Sequence, residues 1–383
     1  MGYDVDTYLL DSLTQGHHGR STYVQPGQNL DEVVSGFYES ISTPVLTNLT
    51  LDFGSLAAYD VYPNPLPDLF AGSQVVVVGR YRQGGTVDVT LKGDVNGQSQ
   101  ILSFPGQVFS TDSSGASDAL ASLPRLWATR KVGYLLNKIR LDGVDKESVD
   151  QIVKLSIRYG IVTPYTSYLV TEPSPLGLEN QNRVAQQVYN NYLAAPTQST
   201  GKAAVDQAAG AGGMSQAQQA PAVPSTDSSG STSNQTIRVV GSRTFVYDQG
   251  IWTDTAYDPQ SMQPIQVSFL STDYFKLVAS RSELASAFAL GENVIVVVDG
   301  KAYKVVPDNT TVPPVVIPPT QPAPTTVVVL PGQNTPTPGP SVTVIPSITP
   351  GVVSTDAGPW SPLMIAGGLV VVFAAAYLML RRK

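Results

Sequence analysis

The alternation of apolar and polar positions divides the chain into blocks of different character. Val75–Tyr81, Thr86–Leu91 and Gln100–Phe104 carry strand patterns, broken by Gly84-Gly85 and Asn96-Gly97. Those dipeptides supply the positive φ angles that tight hairpins require. Helical spacing follows: Val149, Ile152, Val153, Ser156 and Ile157 recur at i, i+3, i+4, i+7 and i+8. Leu123 through Ile139 has a similar stripe that includes Leu126, Trp127, Tyr134 and Leu135. Ile161–Thr171 reads as extended and Asn182–Ala194 as helical. Further along, Thr236–Val240 and Thr244–Tyr247 flank Gly241-Ser242. Ser280 with Glu283 predicts a capping box for a short helix ending at Gly291. Val294–Val298 and Ala302–Val306 flank the hairpin dipeptide Asp299-Gly300.

Two stretches lack any such period. Residues 194–234 are rich in Ala, Gln, Gly and Ser, which predicts a flexible linker. Pro307–Pro350 carries 13 prolines among Thr, Val and Gly. Such a segment favours polyproline II and, at about 3.1 Å per residue, reaches on the order of 130 Å as a stalk.

The apolar run Leu363–Leu380 is uncharged over 18 residues, roughly 27 Å as a helix and close to a hydrocarbon core of about 30 Å. Trp360 and Tyr377 sit near its ends, and Arg381-Arg382-Lys383 follow at once. The pattern predicts one transmembrane helix in contact with membrane lipid, with the C-terminus cytoplasmic and the bulk of the chain outside. A processed sorting tail shares these features, but no sorting motif stands out in Gly358–Pro362.

Composition narrows the function. The net charge is −7, and no basic stripe exists before the last three residues, which argues against nucleic-acid binding. Cysteine is absent, so disulfides, zinc-thiolate sites and cysteine nucleophiles are excluded. The two histidines are adjacent, His17 and His18, in the Gly-flanked stretch QGHHGRS, where a solvated loop is the expectation. Met1–Val5 has neither a basic nor an apolar leader region, although the tail implies export, so a start upstream of Met1 is expected.

Several clusters mimic chemistry. Asp227-Ser228-Ser229-Gly230-Ser231 matches an Asp-x-Ser-x-Ser metal string, but it lies in the linker, where nothing preorganises the oxygens that Mg²⁺ demands. Asp142, Asp145, Glu147 and Asp150 gather near a helix start, where carboxylates suit the dipole. Asn48, Asn234 and Asn309 open glycosylation sequons. No catalytic, cofactor-binding or metal residue is assigned, and no cofactor.

The stretches GYDVDTYLLDSL (2–13), PVLTNLTLDF (44–53), YPNPLPDLFAGSQVVVVGRYR (62–82), LPRLWATRKVGYLLNKIR (123–140) and VKLSIRYGIVTPYTSYLV (153–170) occur in one order. Together they resemble the region after the metal-site half of a von Willebrand factor type A domain in the inter-alpha-trypsin inhibitor heavy chain group. Residues 235–306 resemble a C-terminal module of bacterial members. The resemblance implies that 1–43 is the C-terminal part of the type A domain, with the end of a strand, a helix at Thr7–Leu13, a strand at Ser21–Val24 and a closing helix Leu30–Ile41. The family's metal ligands have no matching positions. The apolar faces of Leu9, Leu10, Leu13, Val33, Val34 and Phe37 are then expected to lack a sheet to cover.

The expected fold is α+β. It comprises the partial α/β type A region (1–43), a β-sandwich-like region with a helical segment (44–193), the linker (194–234), a small α+β module (235–306), a disordered stalk (307–358) and the anchor with its basic tail (360–383). The expected function is a non-enzymatic, membrane-anchored extracytoplasmic protein that adheres to a protein or surface ligand. The alternative is a membrane-bound hydrolase, or hydrolase partner, whose active site lies in an N-terminal part outside this chain.

Overall fold

The strand patterns of the first block pair into two facing antiparallel sheets in the computed structural model, which describes residues 3–71, 73–109, 122–163, 176–194, 198–221, 237–308, 313 and 369–375. Two helices precede them, α1 (Thr7–Gly16) and α2 (Leu30–Ile41). The strands are β1 (Pro44–Asp52), β2 (Ala58–Tyr62), β3 (Leu69–Phe70), β4 (Gln74–Tyr81), β5 (Gly85–Val95) and β6 (Gln98–Phe109). One sheet runs β3-β1-β5-β6, and β4 lies beside β2 in the other. The β5–β6 hairpin turns at Asn96 and Gly97, with φ of 52° and 78°, the left-handed pair its dipeptide predicts.

Strand β4 is the hinge of the architecture, because its valines serve two cores. Val75 and Val77 pack with Leu46, Leu49, Leu69 and Leu91 inside the sandwich. Val76 and Val78 point the other way, into a layer of helices. A strand buried on both faces reads as a continuous apolar run, which explains VVVV at 75–78. The layer comprises α3 (Leu123–Asp142), α4 (Lys146–Tyr159), α5 (Leu178–Ala194) and α6 (Lys202–Ser215). The five stripe residues of α4, from Val149 to Ile157, are all buried. Its start is capped by Asp145, which accepts from Ser148 N at 2.8 Å, and its end by Gly160 in the left-handed region.

Helix α6 lies within the segment expected to be a linker, so for residues 198–221 that expectation is corrected. Its apolar stripe is Ala204, Val205, Ala208 and Ala211, too small to register as a hydrophobic period but well suited to close approach. A Cβ on Gly133 of α3 would meet the backbone at Met214 and Ser215, only 2.3 Å from Ser215 N. The two helices therefore touch backbone to backbone. Asp227 and its serines lie outside the described residues, as do Asn234 and Asn309.

The second block adds β7 (Ile237–Val240), β8 (Arg243–Asp248), β9 (Ile251–Asp254), β10 (Ile265–Ser268), α7 (Thr272–Ser280), α8 (Ser282–Phe288), β11 (Val294–Val298) and β12 (Lys301–Val306). They form one six-stranded sheet in the order β10-β12-β11-β9-β8-β7, mixed because β10–β12 and β9–β11 are parallel. Asp299 and Gly300 make the β11–β12 turn. The predicted capping box is displaced: Ser271 caps α7, accepting from Tyr274 N at 3.2 Å, while Ser280 donates to the Leu277 carbonyl at the helix end. The block docks on α4 through Asp254, which is fully buried and pairs with Arg158 at 2.9 Å and Arg243 at 3.2 Å.

Three further expectations change. Residues 21–24 are irregular rather than a strand, and 3–6 are a turn and coil that lead into α1. Most of Ile161–Thr171 lies outside the described residues. The transmembrane helix expected over Leu363–Leu380 is not seen. Its described part is strand β13 (Leu369–Ala375), antiparallel to β4 from Leu369 opposite Arg80 to Ala375 opposite Gln74. Val370, Val371, Val372 and Phe373 are β-branched or aromatic, and the free edge of β4 offers the hydrogen bonds that such a segment otherwise lacks. Among the described residues, no helix is long and apolar enough to cross a membrane.

Candidate functional site

A cavity of about 220 Å³ opens where α1 and the irregular chain after it meet the 62–67 loop, α3 and α6. Its walls combine local caps with long-range contacts. Asp6 caps α1 by accepting from Leu9 N at 3.0 Å, and Thr7 N and Oγ1 both donate to the Ser199 carbonyl, which seats α1 beside the start of α6. Arg140 of α3 pairs with Asp11 and also donates to the Thr7 carbonyl. In the loop YPNPLP (62–67), Tyr62-Pro63 and Asn64-Pro65 are both cis.

Two arginines line this cavity. Arg130 is 3% exposed and donates from Nε to the Ala217 carbonyl at 2.7 Å. Its Nη1 donates to the carbonyls of Tyr62, at 3.3 Å, and Val76. Burial first, and then the charge of Arg20, push the Arg130 guanidinium down to about 10, so it remains a cation at neutral pH. Arg20 is half-buried, and burial lowers its guanidinium below the usual arginine range. Among the described residues it makes no hydrogen bond and no ion pair.

The carboxylate in the lining, Asp11, is already engaged by Arg140 and by the Ser21 hydroxyl. Tyr23 donates to the Thr7 carbonyl at 3.2 Å, and burial together with Asp11 raises its phenol. Burial, Asp60 and Tyr134 likewise raise the phenol of Tyr62. Both therefore stay neutral. The site is a cationic recess with neutral hydroxyl and amide groups around it. The Ser21 hydroxyl in its lining rests on Asp11, a carboxylate already paired with Arg140.

The groups singled out in the sequence fall mostly elsewhere. His18 does line the cavity: it takes a positive φ of 56°, and its Nδ1 lies 3.2 Å from the Leu66 carbonyl, so it is a docked side chain rather than a solvated one. His17 only ends α1 and is exposed. Asp145 is a helix cap. Burial opposes its ionisation, but hydrogen bonds from Ser148 and Lys138 outweigh that and hold its carboxyl below the usual range. Asp150 pairs with Lys154 at 2.8 Å, and Glu147 accepts from Gln151 at 3.2 Å, so these carboxylates serve α4 itself. Asn48 donates to Asp94 at 2.9 Å. Among the described residues, no three His, Cys, Asp or Glu side chains converge where a metal ion could be held.

Sequence reasoning passed over Arg20 and Arg130. Arg130 had a signal: it lies four residues from both Leu126 and Tyr134, on the apolar stripe of α3. A cation on a buried stripe must find partners, and here they are backbone carbonyls. Arg20 gave none beyond its place in a Gly-flanked loop.

Comparison with known proteins shows what the chain is similar to. About half of the chain is homologous to proteins that contain a von Willebrand type A domain. They are inter-alpha-trypsin inhibitor heavy chains. Heavy chain H3 of Rattus norvegicus is 30% identical over 205 residues, covering 51% of this chain and 23% of that protein. Heavy chain H3 of Homo sapiens is 29% identical over 187 residues, and heavy chain H4 of Homo sapiens is 27% identical over 192. The matched region thus spans about a fifth to a quarter of the length of these relatives. No family model and no solved structure matches the chain.

Proposed function

We propose that this chain is a non-enzymatic, extracytoplasmic ligand-binding protein of the heavy-chain kind, in which the cavity beside Arg20 and Arg130 receives a ligand. The observation that carries this is the chemistry of the cavity: guanidiniums beyond what its one carboxylate, already paired with Arg140, needs. Homology to heavy chains supports the extracytoplasmic and non-enzymatic parts.

Anchoring to a membrane is a finer reading, supported by the uncharged run Leu363–Leu380 and the three cations behind it. Strand β13 competes with that reading, since one segment cannot pair with β4 and span a bilayer at the same time. Carbonate extraction separates the two: a tethered chain stays with the membranes, whereas a chain whose tail is held as β13 is released.

Adhesion is checked with the chain displayed on beads and presented to the outer surface of its host cells. Retention is expected to saturate and to be competed by excess soluble chain. A linear, uncompeted signal, or turnover in a broad esterase, peptidase and glycosidase screen, would reject the reading.

A further inference from the structure

The cavity has a charge that its surroundings do not balance. Its carboxylate, Asp11, is engaged by Arg140, which leaves the charges of Arg20 and Arg130 without a counter-ion among the described residues. Placing cations in a recess costs free energy unless something offsets it, and the protein has used only backbone carbonyls, on one of the two. The rest of the lining is not uniformly polar. Pro63, Pro65, Val76, Leu141 and Ala208 make an apolar wall beside the guanidiniums. That combination suits a ligand with a charged head and a carbon body. A fully hydrated inorganic ion would have to shed water against prolines, with nothing to replace it on that side.

We propose that the cavity binds a small organic carboxylate, the carboxylate oxygens taking hydrogen bonds from Arg20 and from the spare nitrogen of Arg130, and the carbon skeleton lying on Pro63, Pro65 and Val76. The assignment rests on the reading of this cavity as a ligand site and gives it a substrate class. Guanidinium is the group for the task, because its planar fork matches the two oxygens of a carboxylate. Arg130 is fixed by its carbonyl partners and supplies a preset donor. Arg20, without a described partner, is the one that closes on the ligand. The volume of about 220 Å³ admits a molecule of a few heavy atoms, not a polymer segment.

Isothermal titration of the full chain at neutral pH and constant ionic strength tests this, with sodium succinate and sodium phosphate as the two probes. Succinate is expected to bind saturably and one to one, with phosphate silent. Arg20→Ala should weaken succinate about tenfold or more, since charge-assisted hydrogen bonds are lost. Its urea midpoint should not fall, because Arg20 makes no hydrogen bond or ion pair among the described residues and its charge has no counter-ion there. Arg20→Lys, which keeps the charge but not the fork, should fall between. Absence of succinate saturation, or unchanged affinity in Arg20→Ala, would overturn the site. Phosphate binding as tightly as succinate would overturn the organic-carboxylate assignment. A flat succinate isotherm with intact bead retention rejects this inference alone; a succinate isotherm without retention rejects the adhesion reading alone.

Discussion

Single residues carry the joints of this molecule. Asp254 is the clearest, at 0% exposure, with Arg158 of α4 on one oxygen and Arg243 of β8 on the other. It also accepts from the backbone of Ala256 at 2.9 Å and Val297 at 3.2 Å. One carboxylate therefore fastens two strands of the second block to the helical layer. Removing it takes the ion-pair partner from Arg158 and one from Arg243 and the acceptor from two N–H groups, so Asp254→Ala should cost about 2–4 kcal/mol, read as a fall in the urea midpoint. A loss below about 1 kcal/mol would mean the contact is incidental. None of this was visible in the sequence, where Asp254 is one of several acids in a polar stretch. The pair with Arg158 spans 96 positions, and such a contact leaves no local pattern. Gly160 shows the same blindness: its closeness to Thr244, 3.2 Å from where a Cβ would stand, has no local signal.

At the level of elements, legibility tracked side-chain size. The valines of β4 and the branched stripe of α4 announce themselves, because large apolar groups at a fixed period can only mean a buried face. Helix α6 did not. Alanine and glycine carry little hydrophobic signal, and the same residues compose flexible linkers, so local composition pointed away from the helix that tertiary contact stabilises. The close crossing of α3 and α6 supplies a direct check. Gly133→Ala places a methyl group into the backbone of 214–215 and should destabilise by about 1–3 kcal/mol, with faster proteolysis within 198–221. Unchanged stability together with rapid cleavage of that segment in the parent chain would restore the linker. The tail is ambiguous for the opposite reason. A run of 18 apolar residues satisfies a membrane and a sheet edge alike, and only the open edge of β4 distinguishes them.

On the scale of the whole molecule, the candidate site belongs to no single segment. Residues near 11–23, 62–67, 74–76, 130–141 and 208–218 meet around it, and each had a structural role legible only in part: a helix, a proline-rich loop, a strand, an apolar stripe and a stretch taken for a linker. Leu9, Leu10 and Leu13 on α1 and Val34 on α2 are exposed, whereas Val33 and Phe37 are half-buried. Yet α1 is not loose, because Asp11, Thr7 and the cavity wall tie it to α3 and α6. A ligand at this place should therefore stabilise segments far apart in the chain at once. Hydrogen exchange of the full chain with and without saturating succinate measures that most directly. The account predicts slowed exchange together in α1 and the residues after it, the 62–67 loop, the middle of α3 and α6, with the six-stranded sheet unchanged. Protection confined to the second block, or none at a concentration that saturates the titration, would contradict it.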